Sequence, residues 1–209
     1  MEHLTRRLLR QYKHRGAPVV LMTGGWTEEE LLAALKQGPH KSATEHAPFL
    51  REEFASMVEK GQWTVLPCSV AKQLHGLRLI PSGVKVERDR RPRWLGDYSY
   101  FKTNAENLPV SCLSSIQYGR TLDRLLHEIV FVDHALGPVY ILKADVSDGF
   151  YHIGIHPEDT TKLGLIFPSG TNEKPMVSIH LTLPMGWKNS LPLFCTATEM
   201  VADIANGSL

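Results

Sequence analysis

The 209-residue chain has no long apolar run: the longest clean stretch is Pro18 to Met22, far short of the roughly 20 residues that cross a bilayer. Its basic amino terminus, MEHLTRRLLRQYKHR, also lacks the apolar stretch of a secretory leader. Cysteine is scarce. Cys68, Cys112 and Cys195 are odd in number, widely spaced and form no C-x-x-C pair, which argues against a disulfide framework and against a zinc knuckle. An intracellular, reducing setting, cytoplasm or nucleus, is therefore expected. There is no charge excess either: 23 Lys+Arg stand against 22 Asp+Glu, so any basic surface must come from local clustering. Repeats and low-complexity segments are missing. With 43% hydrophobic residues the chain can build one good core or two small ones, and disorder, collagen and coiled coil are excluded.

Leu4, Leu8 and Leu9 recur at helical spacing among Arg6, Arg7, Arg10, Lys13 and Arg15, which makes either an ordinary docking helix or a cationic arm. Thr27 followed by Glu30 is a capping box; Leu31, Leu32 and Leu35 form the stripe behind it, and Gly38-Pro39 ends the helix. A further helix opens near Pro48, buries Leu50, Phe54, Met57 and Val58, and stops at Gly61. From Trp63 to Tyr100 short apolar pieces are broken by Pro67, Gly76, Pro81-Ser82-Gly83 and Pro92, a pattern of hairpins and loops. The tip of this region sets Lys85, Arg88, Arg90, Arg91 and Arg93 against Glu87 and Asp89, a local cationic excess.

Thr121 is expected to open a helix with Leu122, Leu125, Leu126, Ile129 and Val130 on one side. Gly137-Pro138 then leads to a strand in which Tyr140, Leu142, Ala144 and Val146 form the core-like set, with Asp145 on the opposite face at the strand's end. More strand and turn covers Ile153 to Leu183, and a last helix starts near Ser190 with Phe194, Ala197, Val201, Ile204 and Ala205 on one side. The order of elements implies an α+β fold.

Asp145 and the residues after it admit three readings. Counting from Asp145, a calcium loop would need oxygen ligands where Gly149 stands, glycine where Phe150 stands and glutamate where His156 stands, so that reading fails. Asp145 and Asp148 can simply cap the following turn. Alternatively, a carboxylate on a rigid strand end holds magnesium against triphosphate oxygens. His152 and His156, on one face of an extended strand, would lie about 13 Å apart, too far for a single ion.

A second motif, LPMGWKNSLPLF from Leu183, lies about forty residues beyond LKADVSDGFYHI. Together they resemble the second and first palm motifs of the reverse transcriptases of long-terminal-repeat retrotransposons and retroviruses, the second usually written LPxG(F/W)xNSP. EEFASMVEKGQW is similar to the family's fingers helix and its turn, and ERDRRPRWLGDYSY to its R-x-x-x-D-Y-R strand. The resemblance covers roughly residues 48 to 209. It implies residues 46–209 as reverse-transcriptase-like fingers and partial palm, preceded by an unassigned basic, helical segment, residues 1–45.

The resemblance also implies roles. Asp145 would be the catalytic metal-binding carboxylate, supported by the carbonyl of Val146. Asp148 and Gly149 would hold the incoming triphosphate through their backbone, and Phe150 would be the steric gate beneath the sugar, although it could equally be core. Arg93 would clamp the triphosphate, a task suited to a planar cation, with Lys85 as its companion or Arg88 in another register. Met185, Gly186 and Trp187 would support the template base and nascent pair, and Asn189 and Ser190 would cap the helix that follows. Partners would be an RNA or DNA template-primer and deoxynucleotides, and the cofactor a pair of magnesium ions.

The chain departs from the pattern at Leu191, where the family has proline, and at Ser99, which replaces the second arginine. The third palm motif, of Y-x-D-D type, is absent, and the chain contains no Asp-Asp pair. The expectation is therefore a fragment of an RNA-directed DNA polymerase, truncated before that motif and inactive alone. The alternatives are a non-catalytic nucleic-acid-binding protein and an orphaned retroelement remnant.

Overall fold

A computed structural model of the chain describes residues 4–108, 118–133, 135, 137–138, 140, 145–170 and 173–207. It is an α+β fold in which five strands form one mixed sheet, β1 (Trp63–Pro67), β2 (Leu79–Lys85), β3 (Arg93–Gly96), β4 (Gly164–Ile166) and β5 (Met176–His180), in the order β1-β5-β4-β2-β3. Within this sheet β2 and β4 run parallel, and the other three described pairs are antiparallel.

Strand periodicity divides the core into two layers. Leu79, Ile166, Val177 and Ile179 face one side, under α2 (Glu28–Gln37) and α5 (Cys68–Ala71). Ile80, Leu165, Trp63 and Trp94 face the other, where Leu50, Phe54 and Met57 of α4 (Ala47–Glu59) close over them. The same alternation turns Ser178 and His180 of β5 into the second layer, where both are fully buried. Helix α1 (Leu4–Arg15) lies against α8 (Ser190–Gly207), and Tyr12, Ala17, Val19 and Ala43 belong to the same cluster as Phe54 and Trp63. The amino-terminal segment thus shares the core of the rest.

Several helix ends follow local chemistry. Thr27 Oγ1 accepts from Glu30 N–H while the Glu30 carboxylate accepts from Thr27 N–H, the expected capping box, and Gly38 ends α2 at φ 68°. Helix α4 carries Pro48 in its first turn and buries Leu50, Phe54 and Met57, but Val58 is exposed, as is Leu32 on α2. A short helix, α3 (Lys41–Glu45), precedes α4.

Other expectations are corrected. Pro81-Ser82-Gly83 is not a break but the middle of β2, the strand between β3 and β4. Burial on both faces and pairing on both edges outweigh the breaker residues there: Ser82 Oγ donates to the Ile166 carbonyl, and Gly83 lies beside the His40 ring. The stretch from Trp63 to Tyr100 also contains a helical turn, α5. His152 and His156 do not share a strand, because Gly149–His152 and Pro157–Leu163 are 3₁₀ turns.

The amphipathic helix α7 (Tyr118–Phe131) starts before Thr121, after α6 (Thr103–Glu106), and its Leu125, Leu126 and Val130 are exposed. The strand expected over Tyr140 to Val146 falls mostly on residues 141–144, outside the described residues. Tyr140 and Val146 themselves are exposed rather than core-like, and no described strand pairs with either.

Candidate functional site

The β2–β3 hairpin positions the first group of site residues. Its antiparallel register sets Lys85 directly opposite Arg93, so the two expected cations stand side by side where the hairpin opens into its tip. Both reach Glu87, Lys85 Nζ at 2.8 Å and Arg93 Nη2 at 2.7 Å, and Arg90 approaches the same carboxylate at 3.6 Å. Hydrogen bonds from Lys85 and Arg93 hold the Glu87 carboxyl below its ordinary range.

Facing the tip is α4. Phe49, Glu53 and Met57 recur every four residues and so share one helix face. The Glu53 carboxylate accepts from Arg91, whose guanidinium lies 5.6 Å above the Phe49 ring. The 3₁₀ turn after Asp145 forms the third side. Asp148 adopts left-handed backbone angles, φ 54° and ψ 30°, its carbonyl accepts from Tyr151 N–H, and its carboxylate lies 3.5 Å from Lys60 Nζ. Trp94 Nε1 donates to Tyr151 Oη at 3.1 Å, which ties the hairpin to this turn. Burial pushes the Tyr151 phenol up, so it remains a neutral hydrogen-bonding group.

These pieces enclose a cavity of about 350 Å³. Among the residues expected from sequence, Arg93, Asp148 and Met185 line it together; the wall also takes Glu53, Met57, Arg90, Arg91, Trp94 and Tyr151. Lys85 stands outside that wall, on Glu87. Val146 and Gly149 instead border a larger apolar cavity of about 730 Å³ between α1, α8 and the 3₁₀ turn. Phe150 is half-buried with its ring edge-on to Phe194, centroids 5.3 Å apart. Asp145 is exposed.

The loop from Leu183 to Ser190 is held from behind by residues that sequence reasoning missed. Asn104 Nδ2 donates to the Gly186 carbonyl at 3.1 Å, and Asn104 Oδ1 accepts from Lys188 N–H at 2.8 Å. Trp187 Nε1 donates to Asn107 Oδ1 at 2.9 Å. At the start of α8, Asn189 Nδ2 donates to the Leu108 carbonyl, and Ser190 Oγ to the Pro184 carbonyl. Gly186 takes φ 94°, and a methyl group on it would meet the Gly96 carbonyl at 3.0 Å.

Among the described residues no group of three or more His, Cys, Asp or Glu side chains converges to hold a metal ion. His152 is exposed, its Nε2 3.1 Å from the Ser147 carbonyl oxygen. Cys68 and Cys195 are both buried, and no described helix is long and apolar enough to cross a membrane. A charge-lined cavity of this size, cationic along the hairpin and acidic at Glu53 and Asp148, suits a small polyanion carrying an apolar or aromatic portion. No family model matches the chain and no curated protein matches it, so these residues and their placement are the ground for a functional reading.

Proposed function

We propose that this chain is the fingers and first palm segment of an RNA-directed DNA polymerase of the retroelement type, built to bind a deoxynucleotide on a template-primer. One observation carries the reading. Arg93, Asp148 and Met185 come from three motifs that resemble that family, are distant in sequence, and line a single cavity. In this reading Arg93 and Arg90 bind the triphosphate, and Trp94 and Met185 offer the apolar side toward sugar and base. Phe150 packs on Phe194 while Tyr151 is on the cavity wall, so Tyr151 shares the aromatic duty that resemblance assigns to Phe150.

The intact family uses two magnesium ions to activate the primer 3′-hydroxyl and stabilise the leaving pyrophosphate. The donor set here does not fit such a pair: Asp148 pairs with Lys60, and no described cluster joins Asp145. Nucleotide binding without extension is therefore the expected behaviour. The test is titration of the full chain with a deoxynucleoside triphosphate and an RNA–DNA primer-template. Arg93→Ala is expected to weaken nucleotide binding about tenfold, in keeping with loss of a charge-assisted contact, and unchanged binding refutes the reading. Primer extension with magnesium is expected to give no product; template-dependent incorporation abolished by Asp145→Ala would show a competent active site.

The exposed cations of α1, among them Arg7, Arg10, Lys13 and Arg15, favour a second reading, a non-catalytic nucleic-acid-binding protein. It is distinguished by salt-dependent primer-template binding that ignores nucleotide and weakens when Arg90, Arg91 and Arg93 become Ala.

A further inference from the structure

We propose that Glu87 is an internal occupant of the hairpin's anion site, holding the cations together until a polyphosphate displaces it. The inference rests on the nucleotide-binding reading and concerns how that site is regulated. Three cations converge on one carboxylate: Lys85 at 2.8 Å, Arg93 at 2.7 Å and Arg90 at 3.6 Å. Their side chains are 57%, 51% and 72% exposed, so an anion from solvent reaches them without opening the core. Arg90 and Arg93 border the 350 Å³ cavity, whereas Glu87 does not. The carboxylate thus engages the same groups that would meet a ligand there.

The exchange is chemically balanced. Exposed ion pairs of this kind contribute little individually, so their replacement is cheap. A triphosphate carries several negative charges against one on Glu87, and guanidinium forks bind phosphate oxygens bidentately. Two neighbouring cations are otherwise engaged, Arg91 with Glu53 and Lys60 with Asp148. Those two acidic groups repel an anion from the far side of the cavity, which leaves the Glu87 position as the place for the phosphates. With the carboxylate in place, the cations stay ordered and weak monovalent anions are turned away.

The experiment is titration of the full chain with inorganic tripolyphosphate in magnesium-free, low-salt buffer, comparing wild type, Glu87→Gln, Arg93→Gln and the double variant, with a thermal melt to confirm folding. Glu87→Gln is expected to tighten binding about two- to fivefold, the scale of a removed exposed ion-pair competitor, and Arg93→Gln to weaken it. The gain from Glu87→Gln should shrink in the Arg93→Gln background, because the two act on one contact. Equal or weaker binding by Glu87→Gln overturns the inference, as does no tripolyphosphate binding by either protein. Deoxynucleotide binding that depends on template, with no effect of Glu87→Gln, leaves the polymerase reading standing and removes this one. Tighter tripolyphosphate binding without any template-dependent nucleotide binding does the reverse.

Discussion

Asn104 grips the motif loop at both sides of one peptide pair, donating to the Gly186 carbonyl at 3.1 Å and accepting from Lys188 N–H at 2.8 Å. One side chain therefore fixes the loop's orientation relative to α6. Asn104→Ala removes both bonds and is expected to lower stability by about 1–2 kcal/mol. Urea unfolding checks this, with a lower midpoint and an unchanged slope; a midpoint equal to wild type would show that the loop holds itself.

Gly186→Ala tests the same loop from its backbone. The left-handed conformation costs an alanine about 1–2 kcal/mol, and the new methyl group would also crowd the Gly96 carbonyl at 3.0 Å. Gly61→Ala is the comparison, since Gly61 also has a positive φ, 68°, with open space around it. The loss at Gly186 should exceed that at Gly61, and equal losses would mean that the Gly96 contact carries no cost.

Arg78 is 1% exposed, and its guanidinium donates to Glu106 Oε2 at 2.5 Å, to the carbonyls of Thr23 and Gly24, and to Thr23 Oγ1. Partial burial pushes the Glu106 carboxyl up, but the hydrogen bonds from Thr23 and Arg78 and the nearby cationic charge outweigh it, so it titrates below its ordinary 4.5. The unfolded chain then takes up the proton first. The stabilisation from Glu106 is full above pH 4.5 and is lost as pH falls through the lower folded value. Glu106→Gln should cost about 3 kcal/mol at pH 7, because it strands a buried cation, and should flatten the acid limb measured by urea unfolding below pH 4.5. A steep limb in the variant would assign that dependence elsewhere.

His180 presents a second acid sensitivity in a different window. Its ring is fully buried between Trp63 and Trp94, neither nitrogen has a hydrogen-bond partner, and burial lowers its pKa from 6.5 to about 3. The unfolded chain binds a proton below pH 6.5 while the folded one resists, so stability declines from pH 6.5 toward 3 and is unaffected above. The decline should be roughly 2 kcal/mol between pH 6.5 and 4.5, at 1.36 kcal/mol per unit. His180→Leu sacrifices no hydrogen bond and should be near neutral at pH 7.5. Thermal melts at pH 7.5 and 4.5 separate the cases: a variant as acid-sensitive as wild type would clear His180.

What was legible in sequence had a local cause. The capping box at Thr27 and Glu30, the buried face of α4 and the start of α8 each depend on residues three or four positions apart. The β2 segment is not legible in this way, because Pro81, Ser82 and Gly83 carry a turn signature that only partners on both edges override. His180 and Arg78 were invisible for a related reason. In β5, Val177 and Ile179 alternate with Ser178 and His180, a pattern that implies one wet face, whereas both faces are covered.

The site was legible to the extent that motifs marked it. Arg93, Asp148 and Met185 meet, while the grip of Asn104 on a loop some eighty residues away leaves no trace in spacing. In composition Glu87 is only a charge that dilutes the cationic tip; the hairpin register is what brings Lys85 and Arg93 together on it.

The position of Trp94 has an optical consequence. Its ring borders the 350 Å³ cavity, contacts the Trp63 ring edge-on at 4.7 Å and stacks on His180 at 5.6 Å. An indole so placed gives the protein a built-in reporter, whose emission and near-ultraviolet dichroism respond to cavity filling on one side and to protonation of the core on the other.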